Sequence, residues 1–170
     1  LSQSKEMMSI QIISATLQIT NYTLVTNQDY FVNLVDSTLE IDGAVFNNST
    51  ITQVLIEPTQ STVLLKDVLI ENIQTETQIN TLSALSCEIN VNNITYRNSN
   101  APLMRFTFSD VTFNNTYVEN IHDIDNLMVF QGSTLKHMAD SELNNISVSN
   151  TNVMIFDQSI IKFIDNVTLE

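Results

Sequence analysis

Glycine and proline are nearly missing from this chain, two of each in 170 residues, and with them goes the usual supply of tight hairpin turns. There is one cysteine, Cys87, which excludes an internal disulfide framework and any multi-cysteine zinc site. Its surroundings, Leu85-Ser86-Cys87-Glu88-Ile89, alternate, so a buried inert thiol is expected. Tryptophan is absent. Basic residues are few, 6 against 19 acidic ones for a net charge of -13, and Lys5, Lys66, Arg97, Arg105, Lys136 and Lys162 are scattered. Such a set cannot neutralise a run of phosphates, so neither nucleic acid nor an anionic membrane is an expected partner. No stretch reaches the ~20 apolar residues that span a bilayer, and no apolar signal core opens the chain, so this segment is not expected to insert in a membrane.

What is abundant is asparagine, together with serine and threonine, in a chain that is still 43% apolar. That much hydrophobic surface is enough to drive folding. Helical spacing is hard to find, and alternation is the rule. The pattern apolar, any, apolar, any, Asn recurs at residues 17–21, 68–72, 94–98, 111–115 and 146–150, with a weaker copy at 44–48 and a truncated one from Val167. A further match at 89–93 abuts the copy at 94 and reads as accidental. The terminal asparagines, Asn21, Asn48, Asn72, Asn98, Asn115 and Asn150, are read as one structural corner of a repeat of about 26 residues, the irregular spacings around Asn115 summing to two periods.

Two further strand types recur in the same cyclic order. One starts at Leu103, Leu127 and Val153 and ends on Phe; the other starts at Ser37, Ser61, Ser133 and Ser159. Three short strands per coil, each stacked on its equivalent in the next coil, make an all-β parallel β-helix of six to seven coils. Asparagine suits its corners, because it tolerates the left-handed backbone conformation and stacked copies can hydrogen-bond in a ladder. A β-sandwich is the competing architecture, but a sandwich gives no reason for three strand types to repeat cyclically. Residues 1–13 fit the repeat least and are expected to form a partial coil or N-terminal cap, with the solenoid over 14–170. Ordinary repeat sequence runs through to Glu170, so the coils are expected to continue in a longer chain or to stack on an identical subunit.

Asn-x-Ser/Thr occurs at Asn21, Asn47, Asn48, Asn93, Asn114, Asn145 and Asn166. Random order would give roughly 4 such sites, so phase says more than number. By strand alternation Asn93, Asn145 and Asn166 occupy one outward position of the repeat, and Asn47 and Asn114, each after an inward Phe, a second. Two columns of acceptors are thus expected along the rod, with N-linked glycans as partners.

Catalytic chemistry is hard to assemble. His122-Asp123-Ile124-Asp125 is the most reactive-looking cluster, but it lacks a second His and a basic partner for an anionic substrate, and reads as a solvated loop. His137 reads as a surface or packing residue. A carbohydrate-binding or polysaccharide-cleaving β-helix needs grouped carboxylates on a groove face, and no adjacent acidic pair occurs. Arg105 breaks an otherwise apolar strand and is expected to point outward. No catalytic residue, metal ligand or cofactor is assigned.

Residues 108–116, Phe-Ser-Asp-Val-Thr-Phe-Asn-Asn-Thr, resemble the right-handed parallel β-helix repeats of large cell-surface proteins, both the bacterial polymorphic outer-membrane repeats and the Asn-rich extracellular proteins of ciliates and other protists. The resemblance covers about residues 14 to 170. It implies a structural or adhesive surface component, some of whose relatives carry glycans. Together these readings predict a non-catalytic, extracellular or cell-surface structural solenoid, a rod or filament segment.

Overall fold

Apolar and polar residues in alternation give a strand one dry face, and its backbone then needs partners on both edges. In the computed structural model, which describes residues 8–25, 30–149 and 152–169, neighbouring coils supply those partners and every described element is a strand. One sheet stacks seven parallel strands in chain order: Met8–Ile13, Tyr30–Val35, Ile56–Thr59, Leu82–Leu85, Met104–Thr107, Met128–Gln131 and Met154–Asp157. The other carries Thr16–Thr20, Thr38–Asp42, Thr62–Glu71, Glu88–Ser99, Asp110–Ile124, Thr134–Val148 and Ile160–Ile161, again in chain order and parallel. Its long strands bend round a corner, so that Thr62–Glu71 pairs with Thr38–Asp42 on one face and with Val45–Asn47 on the next. The chain is an all-β parallel β-solenoid, with six coils between the first and last strands of the seven-stranded sheet.

The bends are made by single residues with positive φ, and all of these among the described residues except Asp123 fall into three columns. The first corner holds Ser14, Asp36, Gln60, Ser86, Phe108, Gly132 and Gln158; the second Asn21, Gly43, Asp67, Asn93, Asn115, Asp140 and Asn166; the third Asn48, Asn72, Asn98, Asn120 and Asn145. First and second corners lie seven residues apart in five coils and eight in the last two: Lys136 is bulged out between the pairs Val111↔Leu135 and Thr112↔His137, and the last coil, whose Ile161 and Ile164 pair with Leu135 and Met138, keeps the same length. Second and third corners lie five residues apart from Gly43 onward. The path from the third corner to the next first corner varies between ten and fourteen residues.

This geometry corrects the sequence reading in three ways. The repeating asparagines are not one corner: Asn21 and Asn115 belong to the second, Asn48, Asn72 and Asn98 to the third, and Asn150 lies outside the described residues. The short interval from Asn98 to Asn115 is therefore a passage between different corners. Nor is the period fixed: the positions just after successive first corners, from Ala15 through Ser37 to Ser159, lie 22, 24, 26, 22, 24 and 26 residues apart. Finally, the match at 89–93 is genuine, since Ile89 and Val91 pair with Val63 and Leu65 above and with Val111 and Phe113 below. It abuts the copy at 94 because the two are consecutive faces of one coil.

Inward residues stack in columns. Leu39, Val63, Ile89, Val111 and Leu135 are wholly buried in one, and Phe106, Phe130 and Phe156 stack in another at centroid distances of 4.9 and 4.6 Å. Just after the first corner runs a polar column, Ser37, Ser61, Cys87, Ser109, Ser133 and Ser159. Each side chain donates to the carbonyl two residues before it and accepts from the backbone N–H of its counterpart one coil earlier, as Ser109 Oγ does from Cys87 at 3.1 Å. Cys87 takes a serine's place in this ladder. Its thiol donates to the Leu85 carbonyl at 3.1 Å, receives the Ser61 N–H at 3.4 Å, and has its pKa pushed up by burial.

Candidate functional site

The outward asparagines at the corners form a recurring set of like groups. A left-handed residue closing a strand throws its side chain off the sheet face, and the stacking of coils brings such residues together in a line. At the third corner Asn145 Nδ2 donates to Asn120 Oδ1 at 2.7 Å, and Asn120 Nδ2 to Asn98 Oδ1 at 3.2 Å, a continuous amide ladder. At the second corner an amide meets a carboxylate twice: Asn93 Nδ2 donates to Asp67 Oδ1 at 2.5 Å and Asn166 Nδ2 to Asp140 Oδ1 at 2.7 Å.

The sequon asparagines do not form the two expected columns. Asn93 and Asn166 sit at the second corner with Asn21, while Asn145 sits at the third with Asn48. Asn47 and Asn114 are strand residues on different faces, aligned respectively with Glu71 and with Asn92. Alternation counted through a corner residue fails, because the left-handed bend resets which side chain points inward. Asn21, Asn48, Asn93, Asn145 and Asn166 are exposed, whereas Asn47 and Asn114 are half-buried. Asn47 is also held on both ends of its amide, donating to Glu71 Oε1 at 2.9 Å and accepting from Asn72 Nδ2 at 3.0 Å.

The charged groups form short vertical ties rather than a convergent centre. Lys66 bridges to Asp42 at 2.9 Å, Arg97 to Glu71 at 2.7 Å and Lys136 to Asp110 at 3.0 Å. The hydrogen bond and charge of Asp42 raise the Lys66 pKa, and those of Asp110 raise that of Lys136. Arg105 is exposed and donates to Gln131 Oε1 at 3.3 Å.

His122, Asp123 and Asp125 are exposed around the buried Ile124, and Asp123 is left-handed. Gln78, two coils back, clamps this segment: its Nε2 donates to the Asp123 carbonyl at 2.9 Å and its Oε1 accepts the Asp125 N–H at 2.9 Å. Asp125 also accepts from Ser149 Oγ at 2.6 Å. The Gln78 clamp passes over the path from Asn98 to Phe108, the shortest among the described residues, beside a polar recess of about 340 Å³ lined by Gln74, Asn100, Asn120 and His122. Among the described residues no three metal-ligating side chains come together. His137 is half-buried, its ring edge-on to Phe163 at 6.5 Å.

Sequence reasoning missed the serine ladder and the left-handed Asp67, Asp140 and Asn120. Its one available signal was Ser109-Asp110-Val111, which matches the serine-led strand and places Cys87-Glu88-Ile89 in the same series.

No family model matches the chain, and no curated protein matches its sequence. Among solved structures it is similar to a trypsin-treated form of QnrB1, a plasmid-mediated fluoroquinolone resistance protein, at 8% identity over 89% of this chain and 91% of that one, with a TM-score of 0.22. Full-length QnrB1 gives 10% identity over 91% and 93%, with a TM-score of 0.23. HetL, a pentapeptide repeat protein involved in heterocyst differentiation regulation from the cyanobacterium Nostoc sp. strain PCC 7120, gives 10% over 91% and 87%, with a TM-score of 0.16. Superpositions this loose carry no argument, and it is the strand register of the chain itself that makes it a β-solenoid repeat protein.

Proposed function

We propose that this solenoid is a non-catalytic structural element, a stiff, hydrated rod segment of a cell-surface or secreted fibre, with N-linked glycans on its exposed corner asparagines and with neighbouring coils or identical subunits as stacking partners. The observation that carries this reading is where the polar side chains spend their hydrogen bonds. Gln18 reaches Glu40, Asn72 reaches Asn47, Arg97 reaches Glu71, Asn93 reaches Asp67 and Asn145 reaches Asn120, each one coil away along the stack. Groups committed to their vertical neighbours stiffen a rod, whereas an active site turns acids, bases and donors towards one reacting atom.

Glycan attachment follows the same geometry. A sugar on Asn93, Asn145 or Asn166 leaves one amide proton for the ladder bond each already makes and projects from an exposed corner. A sugar on Asn47 would displace a half-buried amide wedged between Glu71 and Asn72. The test is secretion of the chain from a eukaryotic host, followed by glycopeptide mass spectrometry before and after amidase treatment. Sugar is expected on Asn93, Asn145 and Asn166 and not on Asn47 or Asn114. Bare asparagine at all three corner sites sinks the glycan reading.

A further inference from the structure

The interior is unevenly filled. Where the seven-stranded sheet faces the other walls, downstream coils carry Met104, Met128 and Met154 in register, and upstream coils carry Val32, Ile56 and Leu82. The opposite wall changes at the same level, from Ile19, Ile41 and Leu65 to Phe113 and Met138 one coil beyond Val91. Shorter side chains on both walls leave a cavity of about 490 Å³ lined by Leu17, Ile41, Leu65, Ile70, Leu82 and Met104, among others. Its lining runs from Ile10 to Met104, four coil steps, or about 19 Å at the spacing of stacked strands. The buried Tyr96 lies one coil beyond Ile70, which lines the cavity.

We propose that this lumen is a binding site for a single unbranched aliphatic chain with an uncharged head. The volume lies in the range of ligand pockets, about 300–1,000 Å³, and the long dimension follows the stack, so a linear ligand fits where a compact one does not. Along the inner stretch the lining is apolar among the described residues apart from Thr81, whose hydroxyl is already donated to the Leu103 carbonyl. An anionic head would find no free donor there, and burying one unpaired is costly. Polar groups meet the cavity in the first coil, where Tyr22 is 46% exposed and Gln18 is bonded to Glu40. The carboxylate beside this rim and the net charge of -13 disfavour an anionic head.

Titration calorimetry of the chain with 1-hexanol, 1-octanol, 1-decanol and 1-dodecanol tests this. Saturable one-to-one binding is expected, strengthening about fourfold per added methylene until the lumen is filled. Dodecanoate at neutral pH is expected to bind more weakly than 1-dodecanol, and equal affinity would overturn the head-group assignment. Leu65→Phe puts upstream the residue that the register places two coils below, at Phe113, and is expected to weaken 1-decanol at least tenfold while the thermal melt remains cooperative. Ile56→Met is the milder second variant, copying Met104, for the case in which the phenylalanine unfolds the chain. No saturable binding, affinity indifferent to chain length, unchanged affinity in a folded variant, or an alkanol signal that instead tracks dimerisation by light scattering would each overturn the proposal.

Discussion

At the scale of single residues, the serine column shows how a buried polar group becomes structural. Each hydroxyl closes a local turn with its donor and caps the previous coil with its acceptor, so removing one leaves a buried N–H without a partner. Ser109→Ala, which orphans the Cys87 N–H, is expected to lower unfolding stability by about 1–3 kcal/mol in urea titration. Cys87→Ser restores the majority residue of the column and should stay within about 1 kcal/mol of the parent. A loss as large as that of Ser109→Ala would show that the thiol is not standing in for a hydroxyl. Cys87 also shows what single-residue reading can and cannot do: its burial was legible from alternation, but its hydrogen-bond role was not, because the partners Ser61 and Ser109 lie 26 and 22 residues away.

Elements divide into a rigid and a variable part of each coil. The five-residue span between second and third corners repeats without change from Gly43 onward, and inside it one residue more or less would turn every inward side chain outward. The path from the third corner to the first absorbs the difference among coils, ten residues after Asn98 and fourteen after Asn72. Deleting residues 76–79 would shorten the longer path to the length of the shorter. This change is expected to cost less than about 2 kcal/mol and to preserve the β circular dichroism, since flexible loop length changes closure entropy only slowly. It also removes the Gln78 clamp and the half-buried Ile79, which set that cost. Deleting Leu69 alone, within the rigid span, is expected to abolish cooperative unfolding. If both deletions unfold the chain, the division is wrong.

For the molecule as a whole, a dry interior ties stability to alkaline pH. Cys87 and Tyr96 are acids whose neutral forms are favoured by burial, so their folded pKa values lie above the ordinary 9.0 and 10.0. Their contribution is complete below those unfolded values. Above them the unfolded chain loses protons that the folded chain retains, and stability falls, by up to about 1.4 kcal/mol per pH unit for each group. The urea midpoint is therefore expected to be insensitive to these two groups between pH 6 and 8 and to drop from about pH 9 upward. The double variant Cys87→Ser, Tyr96→Phe should flatten the alkaline limb, although Tyr96→Phe also forfeits the hydroxyl bond to the Ala101 carbonyl and lowers the neutral-pH plateau. An unchanged alkaline slope would assign the loss to other groups.

The sequence by itself determined the class of fold. Alternation wrote the strands, the cyclic recurrence of strand types wrote the stack, and scarce glycine passed most of the turning to asparagine, aspartate and other polar residues. It did not determine which asparagines share a corner, because the spacing of identical motifs cannot separate consecutive faces of one coil from the same face of successive coils. Only the tertiary register decided that Asn98 stacks on Asn72 and Asn120 while Asn115 turns a different corner. The same register split the sequons between two corners and two strand faces, put Cys87 in a serine ladder and left the upstream lumen unfilled. The reason is physical: a pattern of inward and outward residues is set by neighbours two positions apart, whereas partners along a solenoid are a whole coil away and coil length here changes from turn to turn.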